Sequence, residues 1–228
     1  SPQTPLAKSP AIGDASQIIM KNWLCIFLAL ALGGIGTRGA EGAALDALSL
    51  PLGAEIDDSQ IENRLVEAAG KILDSDKAVS VKTLAEQLER RTCGVKLGTG
   101  NGRKLSAAEL VSQARPGVLV VAQSFMCGKC SKRHLSPASG VMLTDDGAFA
   151  TSYHVVNQKT NDVMLIMTGD GRIAPVTAVL AANRDADIAS LQAEGKGFKP
   201  LPLSTNAPGG MPVRVISHPD RSGEHTSE

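Results

Sequence analysis

Aromatic side chains are scarce, at 3% of 228 residues, with one Trp and one Tyr. A core built on ring stacking is therefore excluded. Burial must come from Val, Leu, Ile and Ala, which suits short β-strands and small helices. A surplus of either charge is also missing, since 23 Lys and Arg face 23 Asp and Glu. That balance gives no basic footprint for nucleic acid and no acidic tail. Long apolar runs are lacking too. The run from Trp23 to Leu32 has ten residues, against about 20 needed to cross a bilayer. A phosphate cradle is not expected at the glycine cluster Gly98 to Gly102, because no strand precedes it and no Lys-Ser/Thr pair follows.

What is there begins with a leader. Met20-Lys21-Asn22 opens the apolar run, and Gly33-Gly34 and small residues to Ala44 follow it. A basic start, a short apolar centre and small residues after it describe a secretory signal peptide over 20–44. Arg38 leaves the cleavage position open, and an uncleaved membrane anchor is the other reading. Residues 1–19 carry no periodic pattern and are expected to be translated upstream sequence, with Met20 the start. Residues 221–228, Arg221 to Glu228, resemble the translation of a sequencing adapter and are set apart in the same way. Without the leader about 180 residues remain, enough for one to two domains.

Residues 45–113 read as helical. Asp57-Asp58-Ser59 can cap a helix with Ile61, Leu65, Ala68, Ala69 and Ile72 on one face. Ser80 can cap a second helix carrying Val81, Leu84, Ala85 and Leu88, whose charged end from Glu86 to Arg91 is a solvated face. Ser106 and Glu109 form a capping box for a short helix from Ala107 to Ala114. This part offers no chemistry and is expected to be a small regulatory or spacer unit. Pro116-Gly117 ends it, and Val118 to Ala122 reads as a strand.

Cys127 and Cys130 flank Gly128-Lys129, and His134 follows. In an exported chain a local disulfide between the two cysteines is the expectation. A zinc site using both cysteines and His134, with Cys93 as a fourth ligand, is the second reading. A thioredoxin-like redox pair is the third; it belongs at a helix start, whereas Pro137 and its neighbours indicate a loop.

The stretch from Ser139 to Leu191 organises the rest. Val141 and Leu143 alternate into a turn at Asp145-Asp146-Gly147, and Ala148 to Ala150 leaves it, a strong hairpin signal. The hairpin delivers Tyr153-His154 to its far end. Asp187 follows between Arg184 and Leu191, at the approach to another strand, and Asp185 reads as a turn carboxylate. A lone histidine is ordinarily structural; here the Tyr-His-Val-Val setting and Asp187 at suitable range favour a general base and its orienting carboxylate, in the order His, Asp, Ser. Strands are also expected at Asp162 to Met167, Ile173 to Leu180, Leu201 to Leu203 and Val213 to Ile216, spaced as in an antiparallel barrel.

Ser139-Gly140, the Asp146-Gly147 turn, Thr151-Ser152-Tyr153-His154-Val155-Val156 and Asp185 to Leu191 resemble the trypsin-like serine proteases of the HtrA (Deg) type. The resemblance covers about Ala114 to Pro219. Ser152 stands where that family usually has Asn, and Ser217-His218-Pro219 departs from its usual Gly-x-Pro. It implies a mainly β fold: a trypsin-like antiparallel β-barrel and the start of a second over 114–220, after the small helical region. It further implies peptide-bond hydrolysis with His154 and Asp187 catalytic, unfolded or misfolded polypeptides as substrates, no nucleic acid, no cofactor, no metal, and an extracytoplasmic location. The family's Gly-Asn/Asp-Ser-Gly-Gly motif is not found; Ser222 follows Arg221 and has no second Gly after it. The nucleophile is expected beyond residue 228, and this segment is expected to be inactive alone. Two other classes stay open: a protease-like binding or adaptor protein without catalysis, and a CxxC metal-binding protein.

Overall fold

The computed structural model describes residues 27–28 (backbone only), 58–75, 78–100, 102–158, 160–204, 208–210 and 212–216. The leader apart from Phe27 and Leu28, the 217–219 turn, Ser222 and the adapter-like end lie outside these residues. Strand β1 (Phe27–Leu28) is followed by helices α1 (Asp58–Leu73), α2 (Val81–Glu86) and α3 (Ala107–Ala114). The caps fall where side-chain chemistry puts them. Ser80 Oγ accepts from the N–H of Thr83, and Ser106 and Glu109 close a reciprocal capping box.

Strands β2 (Val118–Met126), β3 (Arg133–Met142) and β4 (Ala148–Thr151) come next, then the one-turn helix α4 (Tyr153–Val156). Strands β5 (Val163–Thr168), β6 (Ile173–Asn183), β7 (Ile188–Ala193) and β8 (Leu203–Ser204) complete the described elements. Six strands close into an antiparallel barrel in the order β2-β3-β4-β7-β6-β5, with β5 returning to β2. Closure removes the unpaired strand edges. The remaining two strands form a separate two-residue ladder, Phe27 with Ser204 and Leu28 with Leu203. No strand forms at Val213–Ile216, contrary to expectation: Val213 and Val215 are exposed and lack a neighbouring ladder.

β2 and β5 are apolar on both faces because each face is covered. Leu119, Val121, Met164 and Ile166 point into the barrel with Met142, Phe149, Val176 and Leu191. Val120, Ala122, Val163, Leu165 and Met167 point outward and pack under Leu65 and Ala69 of α1. The two-residue strand period sorts these side chains, and the four-residue step from Leu65 to Ala69 keeps both on one helix face.

The helical segment and the barrel share a core. Val81 and Leu84 of α2, with Leu88 one turn later, are buried in the same cluster as Phe149 and Leu191. The N–H of Val81 donates to Asp162 O at 3.1 Å, and the N–H of Ala182 to Arg90 O at 2.7 Å. Arg90 Nη1 donates to Val179 O at 2.6 Å, while Gln87 Oε1 accepts from the N–H of Val179 at 2.8 Å.

The Asp145-Asp146-Gly147 turn joins β3 to β4 as expected. Gly147 has φ +100°, and a Cβ there would lie 2.4 Å from Ala193 O. Only glycine meets both demands.

Candidate active site

β4 lies between β3 and β7, and its last residue, Thr151, pairs with Ala189. This register sets the site. Three residues past Thr151 comes His154; two before Ala189 comes Asp187. Antiparallel pairing returns both to one end of the barrel.

His154 sits on the α4 turn just after the strand. Val156 is fully buried, and Tyr153 and Val155 pack against the inner core. Three apolar anchors around one exposed residue leave the imidazole facing out, its side chain 71% accessible. Asp187 ends the turn from Arg184, where its N–H donates to Arg184 O at 3.1 Å. Its φ of 48° is left-handed, a conformation Asp tolerates better than most residues. Asn183 Oδ1 accepts from the N–H of Ala186 and steadies the same turn.

The two side chains meet. His154 Nδ1 lies 2.7 Å from Asp187 Oδ2, and the main-chain N–H of His154 donates to Oδ1 at 3.0 Å. A carboxylate only accepts, so the ring donates from Nδ1 and Nε2 is left as the basic nitrogen. Burial raises the Asp187 carboxyl. The opposing set outweighs it and holds the group below its ordinary value: the His154 N–H, the ring hydrogen bond, the imidazole charge and the Ser152 hydroxyl. Ser152, in the place the resembled family gives to Asn, thus contributes to the carboxylate's environment.

A second-layer contact was not legible in the sequence. Gln123 is 1% exposed on the inward parity of β2, and its Nε2 donates to the carbonyl of Val155, next to His154. Its Oε1 accepts from Asn161 Nδ2 at 2.6 Å. The polar residue directly after Val118–Ala122 was the available signal, because a strand extended by one inward step carries Gln123 into the barrel.

Asp185 has no contact with the pair and lies on the exposed turn. Cys127 and Cys130 are not bonded to each other in this structure. Their sulfurs and a ring nitrogen of His134 lie within 4.8 Å of one another on the β2–β3 hairpin, a cluster that does not include Cys93.

Part of the barrel is similar to known proteins. Residues 138–228 match the family profile of the trypsin-like peptidase domain. This part of the chain is similar to a trypsin-like peptidase domain. The match takes in the hairpin after Ala138, His154 and Asp187. Among solved structures, the chain is similar to "HtrA-type protease AlgW with tripeptide" at 24% identity, covering 42% of this chain and 29% of that one, with a TM-score of 0.35. A variant of AlgW with tripeptide gives the same figures. The chain thus spans under a third of the length of those structures. No curated protein matches it.

Proposed function

We propose that this chain is part of an exported serine endopeptidase in which His154 is the general base and Asp187 its orienting carboxylate. The single observation that carries this is the pair's geometry, a 2.7 Å contact through Nδ1 that leaves Nε2 free. A serine hydroxyl at its ordinary pKa is too weak a nucleophile for an amide. His154 Nε2 takes its proton as Oγ bonds to the scissile carbonyl carbon, then gives that proton to the leaving amine. Asp187 holds the imidazole tautomer and stabilises the imidazolium between these two events. Water repeats the cycle on the acyl-enzyme and restores the serine. The serine comes from a later segment of the full-length protein, and the substrates are polypeptides.

The experiment is covalent labelling of the full-length gene product by a fluorophosphonate, which reacts with an activated serine. Labelling of one serine in the wild type and its loss in His154→Ala support the proposal. An unlabelled wild type points instead to a binding or adaptor protein on a protease-like barrel. Export rests on the Lys21-led apolar run. Expressed from Met20, the protein should appear outside the cytoplasm, trimmed between Gly33 and Ala44; untrimmed protein in the cytoplasm would contradict this.

A further inference from the structure

We propose that Cys127, Cys130 and His134 form a zinc site at the tip of the β2–β3 hairpin, with three protein ligands and a fourth position open to solvent. The site stands apart from His154 and Asp187 and does not depend on the protease reading.

The first argument is placement. One sulfur of each cysteine and one ring nitrogen of His134 lie within 4.8 Å of each other, and Cys130 Sγ is 3.0 Å from His134 Nε2. Ligand atoms around a tetrahedral zinc stand about 3.5–3.8 Å apart, given Zn–S near 2.3 Å and Zn–N near 2.0 Å. Small side-chain rotations bring the three into that spacing. The backbone already makes the turn this requires. Ser131 takes a left-handed φ of 54°, the N–H of Ser131 donates to Cys127 O at 3.0 Å, and the N–H of Cys127 donates to Lys132 O at 2.9 Å. Those bonds fold the tip over and return the chain to His134.

The second argument is the state of the ligands. The main-chain N–H groups of Cys130 and Lys129 point at the sulfur of Cys127. The thiolate is the form that binds metal. His134 is oriented from outside the cluster: its ring stacks on Phe125, with centroids 5.9 Å apart and planes 25° from parallel. Phe125 is also its cross-strand partner. A held imidazole lessens the reorganisation that binding demands.

The donor set chooses the metal class. Two thiolates and an imidazole suit zinc and disfavour magnesium or calcium, which take oxygen ligands. Two thiolates also neutralise the ion's charge, so no buried carboxylate is needed. Cys130 is exposed, so the cluster is open to water.

The test uses the full chain, purified with its thiols reduced and titrated with Zn²⁺ and with Co²⁺. One zinc per chain is expected by native mass spectrometry. Co²⁺ should give thiolate-to-metal charge-transfer absorption and the intense visible bands of a four-coordinate ion. Losing a direct ligand should cost at least as much as losing an outer partner, about 10–100-fold in affinity. Cys127→Ser, Cys130→Ser and His134→Ala should each weaken binding by that much. Cys93→Ser should leave it unchanged. Cys130 is exposed, so its replacement should not disturb folding, and circular dichroism of the metal-free variant checks this. A Cys127–Cys130 disulfide in a native digest with no zinc taken up after reduction would overturn the proposal. So would zinc binding that survives Cys130→Ser.

Discussion

His154 and Asp187 are joined twice across 33 residues, once through the imidazole Nδ1 and once through the main-chain N–H of His154. The doubled contact fixes the carboxylate relative to both the ring and the backbone that carries it. Oδ1 ties the α4 turn and Oδ2 orients the ring.

Asp187→Asn in the full-length protein should therefore be far more damaging than Asp185→Asn. An amide at 187 can donate to Nδ1, which moves the ring proton to Nε2 and removes the base; the loss in kcat should be about four orders of magnitude. Asp185 makes no contact with the pair, so its variant should stay within about twofold. Kinetics of the two variants on one peptide substrate check this, and equal losses would refute the assignment of roles within the turn.

Asp187 should titrate below the ordinary aspartate value of about 3.9, as a carbon-detected NMR titration can show. Its folded pKa is lowered against burial by the His154 N–H and then by the ring. His154→Ala removes the ring and keeps the N–H, so part of the depression should remain. The stabilisation linked to this group is full above the unfolded pKa and is lost as pH falls through the lower folded value. With the Asp187 side chain 49% exposed, solvent screening keeps that loss small. A normal Asp187 pKa in the wild type would contradict the doubled contact.

Much of the barrel was legible because its signals are local. Gly147 is demanded by one turn, the caps at Ser80 and Ser106 by two helix starts, and β5 and β6 by short apolar runs around Gly171. The His154–Asp187 pair was legible from its two motifs, though His154 occupies a helical turn rather than a strand edge; Tyr153, Val155 and Val156 supply three anchors that a four-residue turn can bury and an alternating strand cannot. What stayed hidden depends on distant packing. Nothing local says that Leu84 and Leu88 share a core with Phe149, or that α1 covers the outer face of β2. Val213 to Ile216 has strand composition but no ladder, since pairing requires a neighbour that composition cannot supply. At Cys127 and Cys130, spacing alone could not show that both sulfurs lie close to His134.

Gln123→Leu should separate positioning from chemistry. The leucine fits the buried site but leaves the Val155 carbonyl and Asn161 without their partner, at a cost of about 1–3 kcal/mol in stability. Under the proposed function, kcat of the full-length protein should fall while KM changes little, because α4 loses a support and the substrate loses no contact. Chemical denaturation and steady-state kinetics measure the two effects. An unchanged kcat with reduced stability would leave Gln123 a core residue only.

Casein hydrolysis by the full-length product, wild type against His154→Ala, tests the central claim most directly. If the proposed triad acts as a unit, removing its base should cost several orders of magnitude in rate, with folding retained because the 154 side chain is exposed. A wild type that cleaves casein and a folded His154→Ala variant that does not is the predicted result. A His154→Ala enzyme of wild-type activity would contradict the mechanism.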